Sequence, residues 1–381
     1  MKDFSFIVPQ NITFGAGSVK KLPEMVKELK VSNVLVISGP HLNKMGVTDK
    51  ITALIEETGA KTCKFTDVEA NPSVETVHKA ADAYKENQAE AIVAIGGGSP
   101  MDVAKAVGVI VTYGGSITEY EGGGKVPGEI VPFIAIPTTA GTGSELTAFS
   151  VITDHSRNYK LTVASQKLLP SHVILDPEFL TSCPAGTAAA SGVDAMVHAI
   201  ESYINKDCNP FIEAMAEKAL ELLGENIRKF VADRTNIEAA SAMLLGSTFA
   251  GIAFNFGRLG DVHAMAHPVG GFFNVAHGMA NAILLPVCLE YNALADDGKY
   301  KKIYDYISYT KADDSFVPEM LVEEVRKLTK SLGIPETLSE VGVTEDKISQ
   351  MAEDAMKSGN IAVNPRITTK KDVEMLYKKA M

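Results

Sequence analysis

Cysteine is scarce in this 381-residue chain: Cys63, Cys183, Cys208 and Cys288 lie far apart, with no C-x-x-C pair. That spacing argues against a disulfide-stapled scaffold, and a reducing cytoplasm is the expected compartment. Basic residues are also in deficit. The 36 Lys and Arg face 47 Asp and Glu, for a net charge of −11, and no Lys/Arg run breaks the pattern. Nucleic acids and anionic membranes, both polyanions, are not the expected partners. Long apolar runs are missing too. The opening MKDFSFIVPQ has no charged leader ahead of an apolar stretch, so no signal peptide is expected. Runs such as AIVAI (91–95) have strand length, too short for a bilayer. What remains, 46% apolar and 22% charged, is the composition of a globular protein. The length predicts two or three domains.

Up to about residue 180, short β-branched runs alternate with helical patterns. VLVI (34–37) precedes a helix near 47–58, AIVAI precedes DVAKAVGVIV, and PFIAIP (132–137) leads into a Gly/Thr-rich turn. This alternation predicts a parallel, doubly wound α/β layer. VITD (151–154) and YKLTV (159–163) suit a hairpin, and HVILD (171–175) one more buried strand. After Pro184 strand-like runs fade, and 188–250, 261–270, 318–333 and 345–358 carry helical periodicity. The expected division is an α/β domain over 1–182 and an all-α domain over 183–381.

Four of the eight histidines fall between His198 and His277. Asp194 and His198 are four apart, as are His263 and His267, so each pair shares one face if its segment is helical. His277 follows after a Gly-containing turn. One carboxylate and several imidazoles so arranged can surround a divalent metal.

Two loops suit a nucleotide. IGGGSPMDVAK (95–105) sets three glycines after a strand, with Ser99 as an N-cap, Pro100 at the first helical position and Asp102 completing an S-x-x-D capping pattern. Backbone N–H groups and a helix N-terminus there suit a pyrophosphate. PTTAGTGSE (137–145) offers hydroxyls and free N–H groups behind another strand. Neither loop reads G-x-G-x-x-G or G-x-x-x-x-G-K-[ST], which disfavours a standard Rossmann dehydrogenase.

Taken in order, FGAGS (14–18), GGGSPMD, PTTAGTGSE, LDP with GVDAMVHAIESY, VHAMAH and the HG at 277–278 resemble the iron-containing (group III) alcohol dehydrogenase family over essentially the whole chain. The resemblance implies a dehydroquinate synthase-like architecture: an α/β N-terminal dinucleotide-binding domain and an all-α C-terminal metal-binding domain. It implies metal ligation by Asp194, His198, His263 and His277, with His267 near the nicotinamide as a proton-handling catalytic residue. The resemblance implies cofactor positions at Asn71, Gly97, Gly98, Ser99, Asp102, Thr138, Thr139, Thr142 and Lys160 and pocket walls at Phe149, Val151, Phe254 and Ala362; Gly39 joins the expected cofactor set and Arg258 the expected pocket set through departures from the family pattern. The implied cofactors are NAD or NADP and Fe2+, although aqueous affinity would favour Zn2+ for such ligands. The implied reaction is hydride transfer involving a small alcohol or aldehyde, in a homodimer or larger homo-oligomer.

Two departures from the family pattern stand out. Many NAD-using members carry an Asp where this chain has Gly39; without that carboxylate a 2′-phosphate is not repelled, so NADP is tolerated or preferred, with His41 or Lys44 as phosphate partners. In FNFGRLGDVHAMAH (254–267), many relatives have a small-residue stretch before the VHA. Phe256, Arg258 and Asp261 are read first as surface substitutions at a helix entry. The second reading is a reshaped entrance, with Arg258 open to an anionic carboxylate or sulfonate substrate. Other functions explain less. A dehydroquinate synthase-like lyase would need a basic cluster near the metal motifs, a metal hydrolase leaves both nucleotide loops unused, and a non-catalytic nucleotide module has no use for the Asp/His set.

Overall fold

The computed structural model describes residues 11–157 and 159–381. The chain forms two compact units. One holds the described residues up to Thr139 together with Gly143–Leu180; the other holds Ala140–Thr142 and Thr181–Met381. The division falls between Leu180 and Thr181, and three residues of the threonine loop group with the helical unit.

In the α/β unit the strands are β1 (Asn11–Phe14), β2 (Asn33–Ile37), β3 (Lys61–Phe65), β4 (Ala91–Gly96), β5 (Gly122–Gly123), β6 (Phe133–Pro137), β7 (Phe149–Asp154), β8 (Tyr159–Ala164) and β9 (His172–Leu175). Its helices are α1 (Leu22–Leu29), α2 (Pro40–Lys44), α3 (Val47–Glu56), α4 (Val74–Glu86) and α5 (Gly98–Tyr113). Six strands make one sheet in the order β1-β9-β6-β4-β2-β3, all pairings parallel. Parallel strands covered on both faces read as unbroken apolar runs, as β4 and β6 do. Every residue of both is buried. Val34, Val36, Val93, Ile95, Ile134 and Ile136 pack with Leu22, Ile51 and Ile55, so α1 and α3 cover one face. The alternate residues, Leu35, Ile37, Ile92 and Ala94, are equally buried and point to the face that α4 and α5 cover.

The chain runs from β2 out to β3 and returns to β4 on the other side of β2, a topological switch point. Crevices beyond the carboxyl ends of such strands are where open α/β sheets bind ligands. β7 and β8 form the expected antiparallel hairpin, with Phe149 opposite Ala164, and β5 joins β8 in a small second sheet.

The helical unit contains α6 (Ala185–Ile204), α7 (Pro210–Ala232), α8 (Ile237–Gly257), α9 (Asp261–Phe273), α10 (His277–Asn292), α11 (Lys299–Ile307), α12 (Pro318–Ser331), α13 (Ile348–Ala355) and α14 (Lys370–Ala380). The helical stretch read over 188–250 is three helices, restarted where asparagine side chains cap them. Asn209 Oδ1 accepts from Phe211 N at 3.1 Å, and Asn236 Oδ1 accepts from Ala239 N at 3.0 Å. Helices α10, α11 and α14 escaped the periodicity reading; α10 is apolar nearly all round, so it has no stripe to detect. Ile237–Gly257 and His277–Ala295 are long and apolar enough to cross a bilayer, contrary to the expectation of strand-length runs alone. Both are mostly buried among the other helices, as core helices are.

Candidate active site

In the α/β unit, the predicted cofactor residues gather at the carboxyl ends of β2, β4 and β6. Gly39 follows β2, Gly97 to Ser99 follow β4, and Thr138 and Thr139 follow β6. Thr138 N donates to Gly96 O at 2.9 Å, and a Cβ on Gly97 would stand 3.3 Å from Thr139 Oγ1. A Cβ on Gly96, which has φ +151°, would lie 2.7 Å from Pro100 Cγ, so only glycine allows this turn.

The expected cap is corrected here. Helix α5 begins at Gly98, its N-cap is Gly97 rather than Ser99, and no side chain accepts from its first N–H groups. Asp102 does not cap either. Its carboxylate accepts from Ser144 Oγ at 2.8 Å, and loss of water around it pushes its pKa up to about 6 against the pull of Lys105. Lys160 Nζ donates to Asn71 Oδ1 at 2.7 Å, and burial brings this ammonium down to about 8. Asn71 sits at φ +57°, a left-handed backbone that asparagine tolerates better than most residues. Thr142 belongs to the helical unit.

Lys105 was not singled out from the sequence. It is completely buried, and its Nζ donates to the carbonyls of Ser144 (2.6 Å), Thr147 (2.9 Å) and Phe149 (2.7 Å). One ammonium so pins the segment that carries Phe149 and Val151, both half-buried on β7. Desolvation lowers its pKa to about 8 and raises neighbouring Glu145 to about 7.

In the helical unit, α6 is long and alanine-rich, and presents Asp194, His198 and Glu201 at i, i+4 and i+7, on one face. Helix α9 adds His263 and His267, and α10 starts at His277 with no turn between that histidine and the helix. Close approach of α10 to α6 depends on Gly278: a Cβ there would lie 2.6 Å from Ala190 O and 3.2 Å from Asp194 Cβ. The ligand atoms of Asp194, His263 and His277 all lie within 4.8 Å of one another. His198 stands beside this trio, its ring stacked on His263 at 4.6 Å and on Phe254 at 4.3 Å, though its nitrogens lie outside the tight group. His267 stacks on His277 at 5.3 Å and is half-buried.

Asp194, His198, Glu201 and His263 are each less than 5% exposed, a burial that costs several kcal/mol per group unless partners are supplied. Burial raises Asp194 and Glu201 and lowers His198 and His263, all pressures against buried charge. Asn281 Nδ2 faces Asp194 Oδ1 (2.6 Å), His263 Nε2 (3.0 Å) and His277 Nε2 (3.1 Å). An amide nitrogen carries only two hydrogens, so it leaves at least one of the three facing atoms without a hydrogen bond from it. His198 Nδ1 is also buried without a hydrogen-bond partner. Among the described residues, no Lys or Arg hydrogen-bonds to Asp194 or Glu201. Surplus lone pairs, an orphaned imidazole nitrogen and unbalanced negative charge fit a divalent cation held by N and O donors.

Glu201, also missed from the sequence, braces this cluster. Its Oε2 lies 2.6 Å from His263 Nδ1, and its Oε1 accepts from Val262 N at 2.7 Å. Its i+7 spacing from Asp194 was the available signal. Among the proposed pocket residues of this unit, Phe254 stacks on the His198 ring, and Ala362 is exposed on a short turn. Arg258 is an exposed residue that ends α8 and pairs with Asp207 at 3.7 Å. Asp261 corrects the surface reading: it is fully buried, Thr368 Oγ1 donates to its Oδ2 at 2.6 Å, and burial raises its pKa to about 7.

A doubly wound parallel-sheet unit and a helical unit with a buried carboxylate–imidazole cluster define a two-unit class of α/β-plus-helical proteins with a candidate metal centre. The chain belongs to the iron-containing alcohol dehydrogenase family: the iron-containing alcohol dehydrogenase model matches residues 9–177, and the C-terminal model of the Fe-containing family matches residues 188–381. It is 34% identical to the NAD-dependent methanol dehydrogenase of Bacillus methanolicus over 379 residues, covering 99% of this chain and 100% of that protein. A crystal structure of 1,3-propanediol oxidoreductase superposes with a TM-score of 0.96 at 34% identity, covering 100% of both chains. The NAD+ complex of sulfoacetaldehyde reductase from Bifidobacterium kashiwanohense gives 0.90 at 28% identity, covering 100% of this chain and 99% of that one.

Proposed function

We propose that this protein is an NAD(P)-dependent alcohol dehydrogenase, working as an aldehyde reductase on small primary alcohols and aldehydes, with a divalent metal, Fe2+, held by Asp194, His198, His263 and His277. The observation that carries this reading is the convergence of Asp194, His263 and His277 in a cluster whose facing atoms one amide nitrogen cannot all satisfy. When bound, the metal supplies Lewis acidity toward an alcohol or aldehyde oxygen and the nicotinamide supplies or accepts hydride. The chain's own residues bind and orient. The uncapped N-terminus of α5 and the N–H groups around Gly97 to Ser99 suit the pyrophosphate. Asp102, Asn71 and Lys160 form a polar set for the ribose and nicotinamide end. His267, half-buried beside His277, passes a proton between the site and solvent. Gly39 leaves room for a 2′-phosphate, and we propose NADP(H) as an accepted cofactor.

The protein is further proposed to work as a homo-oligomer in a cytoplasm, in keeping with its four free cysteines. A panel of short aldehydes and alcohols, run anaerobically with added Fe2+ and with NADH or NADPH, tests the whole reading. Metal-dependent change in nicotinamide absorbance is expected, and none across the panel sinks it.

One neighbour named for an anionic aldehyde supports a second reading, in which Arg258 meets a carboxylate or sulfonate substrate. Its pairing with Asp207 at 3.7 Å weighs against this. Arg258→Ala separates the two: selective loss of activity on sulfonated aldehydes favours the anionic substrate, and an unchanged preference removes it.

A further inference from the structure

We propose that Glu201 is a positioning residue that sets the tautomer of His263, and so decides which ring nitrogen is free to hold a metal. The inference rests on the metal-dependent reading above. Glu201 lies on the α6 face that carries Asp194 and His198, one turn beyond His198, with its side chain 3% exposed. Three nitrogens meet its two oxygens. Val262 N–H, at the start of α9, points to Oε1 at 2.7 Å, and His263 Nδ1 lies 2.6 Å from Oε2. The His263 backbone N–H also faces Oε2, at 3.4 Å. Gly260 makes this approach possible, because a Cβ there would stand 2.8 Å from Oε1.

With Oε1 accepting from Val262 N–H and Oε2 facing the His263 backbone N–H, an ionised Glu201 has only acceptors to offer, and the hydrogen of the short Oε2–Nδ1 contact then belongs to the ring. A neutral imidazole protonated at Nδ1 keeps its lone pair on Nε2. That is the nitrogen 3.0 Å from Asn281 Nδ2, turned toward the Asp194–His277 group. The opposite tautomer would place an N–H there and remove the ligand. A carboxylate is required, since no neutral isostere offers two acceptors. In Glu201→Gln the amide must set its NH2 group against either Val262 N–H or the imidazole. The first choice costs a helix-start hydrogen bond; the second draws the ring proton to Nε2.

The test uses full-length protein stripped of metal. Zn2+ affinity is measured by competition with a chromophoric chelator, and the visible spectrum of the Co2+-loaded protein is recorded. NADPH binding by fluorescence serves as the folding control. Glu201→Gln is expected to weaken Zn2+ binding about 10- to 100-fold and to alter the Co2+ spectrum, while NADPH still binds. Equal Zn2+ affinity with an unchanged Co2+ spectrum overturns the proposal. A wild-type protein that binds no metal refutes the metal-dependent function instead. Wild-type protein labelled with 15N-histidine and loaded with Zn2+ provides a second reading, free of any folding defect in the variant. Its spectrum must contain an Nε2-ligated ring with an Nδ1 proton strongly deshielded by a short hydrogen bond. Absence of that ring also overturns the proposal.

Discussion

Gly278→Ala is a small change with a calculable consequence. The added Cβ would stand 2.6 Å from Ala190 O and 3.2 Å from Asp194 Cβ, and both obstacles belong to the rigid α6 rather than to a flexible side-chain end. Restoring ordinary carbon contact needs about 0.6–1 Å of separation between α10 and α6. Overpacking of this kind costs about 1–3 kcal/mol. At roughly 2–4 °C per kcal/mol for a domain of this size, the melting temperature of the metal-free protein should fall by about 2–12 °C. The site should suffer more than the fold. His277 is the residue immediately before Gly278, and Asp194 is the residue being pushed, so the shift separates two of the three converging groups. Metal–ligand distances tolerate about 0.2 Å, well under the displacement. Melting curves with and without metal, together with a Zn2+ titration, check both effects. Gly186→Ala on the same helix α6, where a Cβ meets nothing within 4 Å, serves as the control and should be neutral or slightly stabilising. A Gly278→Ala protein that melts with the wild type and binds Zn2+ equally well would refute the close-approach argument.

Three other perturbations have definite outcomes. Glu145 is buried, its Oε1 has no hydrogen-bond partner, and its pKa is raised from 4.5 to about 7. A raised folded value means stability present below about 4.5 and lost as pH climbs through about 7, so Glu145→Gln should match the wild type at pH 5 and exceed it at pH 8 by about 3 kcal/mol at most; equal melting temperatures at pH 8 would contradict this. Arg258 holds φ +57° and ψ −169°, a region nearly confined to glycine, so Arg258→Gly should stabilise the protein by about 1–3 kcal/mol in chemical denaturation. Gly39→Asp should shift kcat/KM from NADPH toward NADH, despite the tight 3.2 Å approach of the new Cβ to Val68 O; an unchanged cofactor ratio would remove Gly39 from the selectivity argument.

Local signals reached some of these features and not others. Parallel strands leave apolar runs such as AIVAI, and hairpin strands leave alternation, so the α/β layer and the β7–β8 pair were legible in the sequence. The i, i+4 spacings of Asp194/His198 and His263/His267 were legible for the same reason, since helical period is a local property. Ser99 was misread as a cap because the S-P-x-D pattern is common at helix starts, whereas the glycine turn starts α5 two residues earlier, at Gly98 instead of Pro100. Asp261 was misread because a charged residue at a helix entry is usually solvated; here Thr368, more than a hundred residues away, encloses it.

The sequence by itself determined the succession of an α/β part and a helical part, the histidine and aspartate spacings and the family. Periodicity and motif spacing depend only on neighbours along the chain, and they need no fold to be read. Tertiary structure alone decided that Asp194, His263 and His277 meet while His198 stands slightly apart, that Glu201 braces His263, and that Lys105 disappears into a cage of carbonyls. Those facts depend on which helices approach and how closely. That in turn depends on a missing Cβ at Gly278 and on the desolvation of groups far apart in sequence.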